Sequence, residues 1–128
     1  MPQYTVQLQW SGTWHPGGVW TIAGETPALV SLNVTSPDNG QTFSGVTQFA
    51  GQGGIEVRGT NNGNGTYAVQ LQWGGSGAPW NAAGNWTFGG NSILSITVTS
   101  ANNGQTITGT MQMPGQGGVD VQGTLSPS

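Results

Sequence analysis

The sequence predicts an all-β domain: one unit of about five short antiparallel strands is written twice, and the two sets close on each other as a barrel or a sandwich. Three observations carry this. The chain repeats itself, since Tyr4-Thr-Val-Gln-Leu-Gln-Trp10 returns as Tyr67-Ala-Val-Gln-Leu-Gln-Trp73, and residues 37–60 match residues 101–124 at 13 of 24 positions. Apolar residues alternate with polar ones at a period of two, the pattern of strands with one buried face. No stretch shows a helical period, and Asn39-Gly40 and Asn103-Gly104 punctuate the alternation with residues that tolerate the positive φ of tight turns.

The elements follow in order. Tyr4, Val6, Leu8 and Trp10 define a first strand. Trp20-Thr-Ile22 is expected to start a second, with the indole in the core. Val30, Leu32 and Val34 make a third, Phe43 marks a fourth, and Ile55 and Val57 belong to a fifth. The second set is Tyr67 to Trp73, a strand started by Trp86-Thr-Phe88, Leu94 to Val98, one marked by Ile107, and Val119 with Val121. Asn61-Asn-Gly-Asn-Gly65 links the halves, so repeat one is read as residues 1–62 and repeat two as 63–128. A chain of 128 residues buries roughly two-thirds of its unfolded surface. Half of it, rich in glycine, is a marginal folder, so a single domain over 1–128 with one shared core is expected.

Charge sets the class of partner. One basic residue, Arg58, stands against four acidic ones, for a net charge of −3. Nothing is available to neutralise phosphates, which excludes nucleic acid and a polybasic route to membranes. No apolar stretch is long enough to span or insert into a bilayer. The absence of cysteine removes disulfides and thiolate chemistry. The N-terminal residues read as a strand with no charged and apolar leader, so the chain is expected in the cytoplasm or released without a classical signal. A surface of Gly, Asn, Gln, Ser and Thr suits a neutral, hydroxyl-rich ligand.

Catalysis has little to work with. His15 is the sole histidine and Asn81 takes its place in repeat two. No nucleophile–base set and no metal-ligand cluster can be assembled, so neither an enzyme nor a cofactor is expected. The tryptophans are the sharper signal. Trp10 and Trp73 each end a strand beside a glycine-rich loop, where a flat ring can pack on the C–H face of a sugar. The same residues could instead plug the barrel ends. Gly51-Gln-Gly-Gly54 and Gly115-Gln-Gly-Gly118 recur with them, and a Gln amide offers both donors and an acceptor.

At these residues the chain resembles the Oscillatoria agardhii agglutinin family of lectins. Gln72-Trp-Gly-Gly-Ser-Gly-Ala-Pro-Trp80 matches that family's aromatic loop, Gly17-Gly-Val-Trp20 its Gly-Gly-x-Trp, and Asn103 to Met111 its next segment. The Gly-Gln-Gly-Gly turns match its Gly-Glu-Gly-Pro. The resemblance implies a compact ten-stranded antiparallel barrel, a monomer, and two sites at opposite ends for high-mannose glycans. Each site combines loops from both repeats. One would use Trp73 and Gly74 with Gln52, Gly53 and the Glu25 position. The other would use Trp10 and Ser11 with Gln116, Gly117 and the Asn91 position. The family's arginine is replaced by Glu25 and Asn91, and its glutamate by Gln52 and Gln116. The loop after Trp10 is three residues shorter than that after Trp73. Two unequal sites are therefore expected, the one at Trp73 being tighter. The alternative is a structural or protein-interaction module on the same barrel.

If the core is shared, fragments 1–62 and 63–128 each remain unfolded as monomers, and the whole chain unfolds in one transition. A dispersed NMR spectrum from either monomeric fragment would refute this.

Overall fold

The alternating segments pair into a closed sheet of ten antiparallel strands. The computed structural model describes residues 3–22, 28–75 and 77–126. The strands are β1 (Gln3–Trp10), β2 (Thr13–Thr21), β3 (Leu29–Thr35), β4 (Thr42–Phe49) and β5 (Gly54–Asn61), followed by β6 (Thr66–Gln72), β7 (Trp80–Phe88), β8 (Ser95–Thr99), β9 (Thr106–Gln112) and β10 (Gly118–Leu125). Around the barrel the order is β1-β10-β9-β8-β3-β4-β5-β6-β7-β2.

This order exchanges hairpins between the repeats. The β1–β2 hairpin of repeat one pairs with β10 of repeat two, and the β6–β7 hairpin pairs with β5 of repeat one. Two seams join like to like, β2 with β7 and β3 with β8. Neither repeat could close its own share of the wall. Three antiparallel steps separate β1 from β6, so Trp10 and Trp73 stand at opposite ends.

Period-two side chains fill the interior. Tyr4, Val6 and Leu8 point inward with Tyr67, Val69 and Leu71. Trp20, Trp86, Phe43, Phe49 and Phe88 form an edge-to-face cluster, with Trp20 and Phe88 5.2 Å apart at 84°. Both buried tryptophans lie near the ends of β2 and β7, not at strand starts as the sequence suggests. The strands begin earlier and run through bulges at Gly17-Gly18 and Ala83-Gly84, where the register shifts. A bulge breaks the alternation that would otherwise reveal a strand.

The two first-strand tyrosines carry equivalent polar contacts. Tyr4 Oη donates to the Gly104 carbonyl at 2.6 Å and accepts the Leu29 N–H at 3.0 Å. Tyr67 Oη donates to the Gly40 carbonyl at 2.7 Å and accepts the Ile93 N–H at 3.0 Å. Each therefore ties its own strand to an Asn-Gly turn of the other repeat. Those turns need glycine, since Gly40 and Gly104 both adopt φ 94° behind Asn39 and Asn103 at φ 62° and 61°. Ser36 and Ser100 accept the Gly40 and Gly104 N–H groups at 2.8 Å. Asp38 and Asn102 accept the Thr42 and Thr106 N–H groups at 2.9 Å. The bond from the Thr42 backbone, with that from its hydroxyl, holds the Asp38 carboxyl below its ordinary range.

Tyr4→Phe leaves the Leu29 N–H and the Gly104 carbonyl without this partner and is expected to cost about 1–3 kcal/mol in urea denaturation at neutral pH. Burial raises the Tyr4 phenol above its ordinary value, against a weaker opposing effect of its bond to Leu29. The folded protein thus keeps this proton while unfolded tyrosine loses it near pH ~10. Stability from this group is complete below that pH and falls as pH rises toward the folded value. The alkaline decline should be shallower in Tyr4→Phe than in the parent.

Candidate functional site

The seam between β2 and β7 is short. Only Trp20↔Phe88 and Thr21↔Thr87 are in register, after which the regular pairing ends. The bulge at Gly17-Gly18, with Gly18 at φ 82°, turns β2 toward the opening. Its floor is tight: a Cβ on Gly89 would strike the Gly17 carbonyl oxygen, and one on Gly18 would lie 3.0 Å from Gly89 Cα. Only glycine lets the two backbones meet this closely.

Above that floor lies a cavity of about 800 Å³ assembled from both repeats. Repeat one contributes Leu8, Trp10, Pro16, Gly17 and Gly18. Repeat two contributes Gly89 and Asn91 from the β7–β8 connection, and Met113 with Gln116 to Val119 from the β9–β10 turn. None of these residues is ionisable.

Each polar member is held by local bonds. The Gln112 side-chain amide donates to the Gln116 carbonyl at 2.8 Å, and the Gln116 N–H donates to Met113 at 3.1 Å. The Gln116 side chain is exposed and has no partner among the described residues, so its amide can both donate and accept. Asn91 braces its own turn, its N–H and Nδ2 both donating to the Phe88 carbonyl at 3.3 and 3.2 Å. Trp10, at the end of β1, is 45% exposed and stacks on His15 with ring centroids 4.0 Å apart and planes at 12°. The plug alternative fails for this indole and for Trp73, which is 38% exposed.

The structure thus brings Trp10, Asn91, Gln116 and Gly117 to one cavity. Ser11 is exposed and does not line it. It forms, with Gly12, the two-residue turn that joins Trp10 to its cross-strand partner Thr13. Both turn residues have positive φ, 56° and 78°, as a type I′ hairpin demands. At the other end, Trp73 follows β6 while Gln52 and Gly53 precede β5, and the two strands are paired neighbours. Gln48 Nε2 donates to the Gln52 carbonyl at 2.9 Å, as Gln112 does in repeat two. Gly74, Gly75 and Gly77 all have positive φ, and the buried Gln72 amide donates to the Ala78 carbonyl at 2.7 Å to hold that loop. Glu25 lies outside the described residues.

Sequence reasoning names the tryptophan and the two loops but not Leu8, Pro16, Gly89, Met113, Gly118 or Val119. The Gly17-Gly18 pair is visible as a motif, yet its place in the cavity depends on the bulge. Among the described residues no cluster of three His, Cys, Asp or Glu could hold a metal.

The family model for the OAA-family lectin sugar binding domain matches residues 2–62 and again residues 65–126. The chain belongs to the OAA lectin family. It is 41% identical to lectin OAA of Planktothrix agardhii, over 94% of this chain and 97% of that one. It is also 41% identical to lectin SfL-1 of Solieria filiformis, of whose length it spans 48%. A glycan-bound lectin of Pseudomonas taiwanensis superposes with a TM-score of 0.92 at 40% identity, covering 98% of this chain and all of that one. The Myxococcus xanthus hemagglutinin, solved with α3,α6-mannopentaose, superposes at 0.89 with 36% identity, covering 98% of this chain and 50% of that one. Members of the OAA lectin family bind carbohydrate and are not enzymes, which agrees with the absence of a nucleophile–base set in the sequence.

Ser11 occupies a left-handed conformation that strains a residue with a Cβ. Ser11→Asn, which restores the Asn-Gly pair preferred in such turns, should raise stability by about 0.5–1 kcal/mol. A shift of the urea midpoint at unchanged slope is the measurement.

Proposed function

We propose that this protein is a monomeric lectin for high-mannose glycans with two unequal sites, one at each end of the barrel. One observation carries the reading. An exposed indole of one repeat, Trp10, shares a neutral cavity with Asn91, Gln116 and Gly117 of the other. A pyranose offers both a C–H face for an aromatic ring and hydroxyls for amide groups. The mannopentaose held by the myxobacterial relative has this chemistry and is the ligand class we assign.

The donor set is neutral. Asn91 and Gln116 stand where the family pattern has charge, and an amide cannot reproduce the five-donor fork of arginine. Recognition then rests on paired donors and acceptors plus stacking, which suits uncharged mannose arms. The second site is assigned to Trp73, Gly74, Gln52 and Gly53 with the Glu25 position. The loop after Trp73, longer and glycine-rich, lets backbone N–H groups approach a ligand more closely than the two-residue turn after Trp10. We therefore place the tighter site at Trp73.

Truncating a central tryptophan typically costs ~2 kcal/mol or more, a roughly thirtyfold loss. Calorimetry with α3,α6-mannopentaose should show Trp73→Ala losing the tighter site and Trp10→Ala losing the weaker one, with both variants folded. Agglutination needs two working sites on a monomer and should fail in both. Affinity should change little between low and high salt, because the ligand is neutral. Absence of any mannopentaose binding at millimolar protein would instead favour a structural or protein-interaction role.

A further inference from the structure

We infer that His15 is a positioning residue for the Trp10 site, holding the indole by stacking on the face turned from the cavity. This rests on the lectin reading above and adds to it a residue that touches no ligand.

The placement follows from strand register. His15 lies opposite Leu8, and directly paired residues share a face of the sheet. Trp10 is two residues beyond Leu8 and shares that face as well. The imidazole and indole therefore meet diagonally, their centroids 4.0 Å apart and their planes at 12°. Trp10 lines the cavity and His15 does not. The stack covers one face of the indole, and because the imidazole lies outside the cavity lining the other face is taken as the one offered to a ligand. An exposed tryptophan at a hairpin end would otherwise sample several rotamers, and ordering it on binding costs affinity.

Repeat two lacks the device. Asn81 stands opposite Leu71 in the same register, but its Nδ2 donates to the Pro79 carbonyl at 3.4 Å. Among the described residues no ring stacks on Trp73. The two sites therefore solve one problem differently: a short turn and a buttressed ring at Trp10, a longer loop and an unbuttressed ring at Trp73.

The test follows the Nε1–H signals of Trp10 and Trp73 separately during NMR titration with α3,α6-mannopentaose. His15→Asn, the residue of repeat two, should weaken binding at Trp10 about fivefold to tenfold, the scale of one aromatic contact, and leave Trp73 unchanged. His15→Phe restores a flat ring and should recover affinity to within about threefold. The ring-current shift on Trp10 should vanish in the first variant and persist in the second. Asn81→His should tighten the Trp73 site and give its indole a ring-current shift. If His15→Asn does not fold, the Asn81→His result decides alone. Unchanged affinity at Trp10 in folded His15→Asn overturns the inference, as does an equal loss in His15→Phe. A parent protein that binds at neither tryptophan overturns the lectin reading and this inference together, so the two failures are distinguishable.

Discussion

Two buried phenols hold this barrel in register. Tyr4 and Tyr67 sit on the first strand of each repeat, and each hydroxyl spans from a turn glycine of the other repeat to the chain entering β3 or β8. In the barrel interior such a bond has no competing water, so loss of either partner exposes a desolvation penalty. The bridges also tie function to fold. Tyr67 fixes Ile93, two residues after Asn91, and so anchors the connection that walls the Trp10 cavity. Tyr4 likewise fixes Leu29 at the start of β3.

The hairpin exchange explains why the site spans both repeats. β1 ends at the cavity, but its neighbour there is β10, so the Gln116-Gly117 turn comes from the opposite half. The β2–β7 seam is only two residue pairs long, with Trp20 edge-on to Phe88, and beyond it Gly17, Gly18 and Gly89 meet closely as the floor of the cavity.

Much of the fold is legible in the chain. The repeat, the strict alternation from Tyr4 to Trp10 and the Asn-Gly pairs yield strand number and pairing sense, because period two and positive φ are local properties. The sequence also separates the buried Trp20 and Trp86 from the exposed Trp10 and Trp73. It misplaces the strands of the buried pair, since the bulges at Gly17-Gly18 and Ala83-Gly84 interrupt the alternation that a reader follows. Ser11, which the resemblance places at the Trp10 site, is an exposed turn residue beside the cavity and not part of its lining.

Composition, repeat and motif by themselves determined a sparsely charged, twofold, all-β chain with a surface suited to a neutral ligand, because these depend on residue type and spacing along the backbone. Only the tertiary structure decided that the β2 bulge brings Gly17 and Gly18 against Gly89, and that Met113 and Gly89 line the cavity with Asn91. Those relations cross from β1 to β10 and from β2 to β7, pairings that arise when two repeats trade hairpins around a common core. Pairings such as Gln9 with Asp120 and Trp20 with Phe88 are set by closure of the sheet, which no local pattern encodes.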